Sequence, residues 1–270
     1  MDLFCGRTPK ITAMLLFGVV AGVFPPYGFA QSRPPDVAAI LANVSRTYKN
    51  LNQYTFHATV TEETRTNGAK AVTKAVIVVA VQRPERIRFD VNGSGSTQFT
   101  GMYVGDEVAV SDGTDFFLYL PKFNQYTKTP LRLSSSTQSN RQPVSPMGTV
   151  PAFIDHVEGV FLDWYKVVGA SADHAHFIGD ESVSVDGRPV SCHVVEIKYE
   201  PPFPKRTIWV DKSRSVVLRE VMDSQNPQNL PSLTKTTAFS AAQFGPPIRD
   251  DVFVFSAPAG AKLVNAFGQK

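Results

Sequence analysis

The residues whose types could do chemistry are few, and their spacing works against most of them. Glu62-Glu63 and Asp250-Asp251 are adjacent carboxylates. Neighbours on a strand point to opposite faces, so neither pair makes an acid/base dyad. His174, His176, Cys192 and His193 are the candidate metal ligands. His174 and His176 share a strand face, but Cys192 and His193 are adjacent and diverge, and zinc sites show tighter ligand spacing. These four read as ordinary strand histidines and a buried strand cysteine. Gly93-Ser94-Gly95 lacks the Lys-Ser/Thr pair and the following helix of a phosphate loop, so it reads as a turn. No Gly-x-Ser-x-Gly elbow occurs. The chain is therefore expected to be non-catalytic, with no catalytic residue, metal or cofactor assigned. An enzyme or metal protein built on the histidine group is the outlying alternative.

Composition narrows the class. The chain has 270 residues, 43% hydrophobic and 19% charged, enough for a substantial core. Its 27 Lys+Arg against 24 Asp+Glu leave a formal charge of +3 with no basic run, which argues against nucleic acid. Two cysteines cannot build a disulfide framework. The excess lies elsewhere: 19 Phe, 8 Tyr and 20 Pro against 2 Trp, a balance that points to β-structure with much apolar surface.

The first thirty residues read as an address. Arg7 and Lys10 precede an apolar stretch of 14 residues, Ile11 to Phe24, and Gly28-Phe29-Ala30 supplies small residues for cleavage. That stretch is shorter than the ~20 residues needed to span a bilayer. The expectation is a secretory signal peptide over residues 1–30, cleaved after Ala30, and a single periplasmic domain over residues 31–270. Cys5 precedes the apolar stretch, so it is not placed as a lipid-bearing cysteine.

The elements that position everything else follow from periodicity. Asp36 can cap a helix whose stripe is Val37, Ile40, Leu41, Val44, Tyr48 and Leu51. From Tyr54 the period becomes two, with Tyr54, Phe56, Ala58 and Val60 on one face. Turn signals at Asn67-Gly68, Asn92-Gly93, Asp112-Gly113 and Asp186-Gly187 separate further strands, one of them at Thr97–Tyr103, and the short connections predict antiparallel pairing. Residues 131–146 read as a surface loop, Thr149 to Gly169 as a second helical region, and Val252–Phe255 as a last short strand. Two helical segments can cover one face of such a sheet. Phe56, Ile77, Val79, Phe89, Phe99, Phe117, Tyr119 and Trp209 sit on its strands, as core or as the lining of a cavity for an apolar ligand.

Four stretches carry a family resemblance. They are Tyr54-Thr55-Phe56-His57-Ala58 after the first helix, and Gln82-Arg83-Pro84-Glu85-Arg86-Ile87-Arg88-Phe89. Val110-Ser111-Asp112-Gly113-Thr114 follows, with Phe117-Leu118-Tyr119-Leu120-Pro121 and Asn124-Gln125-Tyr126, and then Asp251-Val252-Phe253-Val254-Phe255-Ser256-Ala257-Pro258-Ala259-Gly260. In this order they resemble the periplasmic outer-membrane lipoprotein carrier family (LolA-like), in a divergent exported branch with a longer segment between Leu131 and Pro204. The resemblance implies a mainly β (α+β) fold: a curved, incomplete antiparallel β-barrel with helices packed as a lid. It implies a hydrophobic hollow that takes lipid or lipoprotein acyl chains, and a role for Arg83 in tying the lid shut. Implied partners are acyl chains and membrane-associated donor and acceptor proteins of outer-membrane biogenesis, with the protein a monomer. The same fold also implies the alternative of a periplasmic sensor that binds a partner protein in response to lipid or mislocalised lipoprotein.

Overall fold

Asp36 opens the first helix as its sequence position suggests. Its Oδ1 accepts from the N–H groups of Ala38 and Ala39 at 3.0 and 3.3 Å, satisfying two donors of the first turn of α1 (Val37–Lys49). The structure is a computed structural model describing residues 35–66, 69–94, 106–131, 150–201, 203–224 and 232–268. The signal segment, the Asn67-Gly68 turn, the Thr97–Tyr103 strand and most of the 131–146 loop lie outside the described residues.

Period-two segments become β1 (Gln53–Thr66), β2 (Ala69–Gln82), β3 (Arg86–Ser94), β4 (Glu107–Asp112), β5 (Asp115–Leu120) and β6 (Gln125–Pro130). The helical region divides at Leu162 into α2 (Val150–Phe161) and α3 (Asp163–Val167). There follow β7 (Ala175–Val185), β8 (Arg188–Ile197), β9 (Lys205–Asp211), β10 (Val217–Ser224), β11 (Ser232–Phe244) and β12 (Lys262–Leu263). All twelve strands form one open sheet in the order β12-β6-β5-β4-β3-β2-β1-β11-β10-β9-β8-β7. Every pair is antiparallel except β12 on β6, which is parallel. The sheet is a curved, incomplete barrel under a helical cover, as expected from the sequence.

Turn chemistry fixes the registers. Asp112 Oδ1 accepts from the N–H groups of Thr114 and Asp115 at 2.7 and 2.8 Å, and Gly113 takes φ +94°. Asp186 and Gly187 both have positive φ, 50° and 77°, which a two-residue hairpin between twisted strands requires.

Three helices cover one face of the sheet, the inner face. Tyr54, Phe56, Ala58 and Val60 of β1, Ile77 and Val79 of β2, and Phe89 of β3 are buried there. The helices reach them through aromatic rings. Phe153 of α2 packs edge-on against Phe89 and Phe116, centroids 5.7 and 5.6 Å apart, and Phe161 meets Phe56 at 5.8 Å. Tyr48 of α1 meets Tyr165 of α3 at 4.9 Å, and its hydroxyl accepts from the N–H of Val217 at 3.1 Å, where β10 is bulged. β8 is covered on both faces, as its sequence predicts: Val195 and Ile197 join the inner core, while Cys192 and Val194 join a second cluster with Trp209, Val216 and Leu218.

The chain end departs from expectation. Val252–Phe255 is no strand; Asp250–Phe253 form a 3-10 turn, and the last strand is β12. The two phenylalanines there act as anchors on the outer face. Phe253 is buried beneath the Arg86 guanidinium, and Phe255 stacks on Phe117 at 4.9 Å and meets Tyr126 at 5.3 Å. Side-chain packing on the outer surface, rather than edge pairing, holds this segment.

Candidate functional site

The site is the inner face together with the group that fastens α2 over it. Alternation sends Tyr54, Phe56 and Ala58 inward from β1, and cross-strand pairing sets Phe56 beside Val79 and Val79 beside Phe89. These four residues (Phe56, Val79, Phe89 and the neighbouring Ile77) are at most 1% exposed. Phe153 and Phe161 of α2 occupy the space above them. The face is thus apolar, continuous across several strands, and closed by side chains from a helix of 12 residues.

Of the other residues the sequence put forward for this lining, Phe99 lies outside the described residues. Phe117 and Tyr119 point the other way. They alternate with Phe116 and Leu118, and it is Phe116 and Leu118 that join the inner core. Phe117 stacks on Phe255, and the Tyr119 hydroxyl donates to Asn124 Oδ1 at 3.1 Å. Trp209 is also on the outer side, because Ile208 and Val210 take the inward positions of β9. Its Nε1 donates to Glu181 Oε2 at 2.7 Å, under the Arg219 guanidinium, 4.6 Å from the ring. Strand parity settles all three. The inward aromatics absent from the sequence-based lining are Tyr54, Phe116 and Phe239; parity could have found the first two.

Arg83 follows β2 and turns toward α2. Its Nη2 lies 2.7 Å from Glu158 Oε2 and its Nε donates to Glu158 Oε1 at 3.1 Å, a two-pronged contact. Nη2 also donates to Asp155 Oδ1 at 3.0 Å, one turn earlier on the helix. Glu158 is 2% exposed. It accepts further from the Tyr54 hydroxyl at 3.0 Å and from Lys166 of α3. Lys166 in turn pairs with Asp163 at 2.7 Å. One carboxylate therefore joins the sheet, α2 and α3. Burial alone would raise its pKa, but the hydrogen bonds from Arg83 and Lys166 outweigh that and hold it below the ordinary value. Burial and the Glu158 charge push the Tyr54 phenol far up, so it stays a donor. An open cleft of about 330 Å³, lined by Asn52, Gln53, Gln82 and Arg83, gives solvent access to the arginine. Nothing in the sequence marked Glu158 out; its partner was visible, its own position was not.

The histidine group does not converge into a metal site among the described residues. His193 Nδ1 pairs with Asp180 at 2.8 Å, and the His174 ring lies 4.8 Å from that of Tyr199. Cys192 is a buried free thiol whose pKa burial pushes up to about 11.

Residues 37–145 match the model of a family described as "Predicted periplasmic protein (DUF2092)". No curated protein matches. Among solved structures, MucB is 13% identical over 82% of this chain with a TM-score of 0.41, and this chain covers 63% of it, less than two thirds of its length. A LolA superfamily protein from Nitrosomonas europaea is 11% identical over 82% of this chain and 98% of its own, with a TM-score of 0.29. The Mycobacterium tuberculosis lipoprotein LppX is 12% identical over 81% of this chain and 100% of its own, with a TM-score of 0.36. The chain is thus similar to the DUF2092 family over residues 37–145, and its own architecture is an open antiparallel sheet with helices across the inner face.

Proposed function

We propose that this is a periplasmic, non-catalytic binding and transfer protein that holds the acyl chains of a lipid or lipoprotein against the inner face of its sheet. In this reading α2 is a displaceable lid, and Arg83–Glu158 is the latch that closes it. The observation that carries the reading is the pairing of a continuous apolar face with a short helix fastened over it by one buried carboxylate. A helix that only completed a core would not need a buried charged fastening, since apolar packing of similar volume is often as stable.

The energetics suit a carrier. Burying one CH₂ is worth about 0.8 kcal/mol, so a chain of ~15 methylenes gains roughly 12 kcal/mol on leaving water. A membrane offers the same gain, so exchange between the two runs close to balance without a cofactor. When an acyl chain enters, it replaces the rings of Phe153 and Phe161 on the sheet, and those rings need new cover. The lid therefore closes by default and opens for cargo that a membrane-associated donor presents. The periplasmic assignment rests on the signal-like segment and on the description of the matching family.

Uptake of a fluorescent acyl amide by the mature protein tests the reading. Saturable uptake that quickens in Arg83→Ala is expected. No uptake by either protein would overturn it.

A further inference from the structure

Glu107 opens β4 on the inner face, two residues before Ala109 of the main core. It pairs across to Val91, and that row runs on through Ile77 and Ala58 to Phe239. Glu107 is 2% exposed, and among the described residues its Oε2 has no hydrogen-bond partner. A buried carboxyl oxygen without a partner is costly, and native structures seldom keep one without a reason. Two other buried oxygens share this condition, Thr73 Oγ1 and Asp90 Oδ1. Asp90 lies on the outer face with its second oxygen held by Arg88 at 2.8 Å, and Thr73 carries no charge. Of these three, Glu107 is the carboxyl that lies on the inner face.

The surface beside it is low. Gly93 faces Ala75 across β3 and β2, and a Cβ at position 93 would lie 3.2 Å from that of Ala75. Ala58 and Ala109 add only methyl groups to the same face. The short side chains at 75, 93 and 109 mean that a ligand displacing the cover of this acceptor would meet little bulk from the sheet.

We propose that Glu107 is a polar anchor for cargo: its carboxyl accepts a hydrogen bond from an N–H or O–H group carried beside the acyl chain. This rests on the carrier reading above and names its ligand class, an acyl lipid with an amide, amine or hydroxyl donor. A free fatty acid anion is disfavoured, because its own carboxylate would meet that of Glu107 in a setting of low dielectric.

The test compares oleamide with methyl oleate, which share an acyl chain and differ in the donor. Binding is measured by displacement of a fluorescent acyl probe at about pH 8, where the carboxylate is an acceptor only. Wild-type protein is expected to prefer oleamide by about tenfold or more, the range of a hydrogen bond to a charged group. Glu107→Leu should bind both alike, and Glu107→Gln, which keeps an acceptor, should retain part of the preference. Equal binding of both lipids by wild-type protein, or a preference that survives in Glu107→Leu, would overturn this inference while leaving the carrier reading intact. Failure of wild-type protein to bind either lipid would overturn both. Thermal melts of the two variants separate lost selectivity from lost folding.

Discussion

Arg83 and Glu158 meet through two contacts, 2.7 Å at Nη2 and 3.1 Å at Nε, and so fasten the end of a sheet strand to the last turn of the helix that covers the sheet. The carboxylate is buried and the guanidinium lies partly in solvent. The pair can therefore open toward water on the arginine side without stranding a cation in the core.

Replacing Arg83 should weaken the cover without dissolving the fold. Glu158 would keep Lys166 and Tyr54, so Arg83→Ala should cost about 2 kcal/mol, the order of one lost charge-assisted bond. Uptake of an acyl probe should quicken at the same time. Arg83→Lys should recover only part, since an ammonium cannot make the two-pronged contact. Urea denaturation and stopped-flow uptake check both effects; a destabilised variant with an unchanged uptake rate would separate Arg83 from lid opening.

Two carboxyls give opposite pH dependences. Glu107 has its pKa raised by burial from the ordinary 4.5 to about 7. The folded state then holds a proton the unfolded state has lost, so stability falls as pH rises between those values, by roughly 3 kcal/mol in all. Glu107→Gln should remove that slope and exceed wild-type protein in stability above neutrality. Glu158 is held below its ordinary value, so its contribution is full above the unfolded pKa and is lost as pH falls through the folded one. The latch should hold at neutral pH and fail only in acid. Denaturation curves across this range, with Glu158→Gln as the second variant, resolve the two limbs.

Strand parity yields a paired mutation. Phe89 lies on the inner face against Phe153, while Tyr119 lies on the outer face beside Asn124. Phe89→Ser should weaken acyl binding by about tenfold or more, from the loss of a buried aromatic surface worth ~2 kcal/mol. Tyr119→Ser should leave binding unchanged although it loses a hydrogen bond. Probe titration reports binding, and circular dichroism confirms that each variant is folded. Equal losses in both would remove the distinction between the faces.

Much of this architecture is legible in the chain because its signals are local. Asp36 at a helix start, the alternation from Tyr54, and the Asp112-Gly113 and Asp186-Gly187 turns each act over a few residues. What escapes is what depends on distant packing. Phe117 and Trp209 are large and apolar, and composition alone assigns them to a lining, yet Phe116 and Ile208 hold the inward positions. Phe253 and Phe255 alternate like strand residues and instead dock on the outer surface. Glu158 has no motif of its own; its role exists only because α2 brings it to Arg83, 75 residues away in sequence.

The most direct measurement is gentle native mass spectrometry of the mature protein taken from the periplasm, followed by organic extraction. A co-purifying acylated species bound to a monomer is expected, depleted in Phe89→Ser. A protein that arrives empty, and that takes up no acyl probe even when Arg83→Ala has loosened the cover, would contradict it and leave the inner face as plain core.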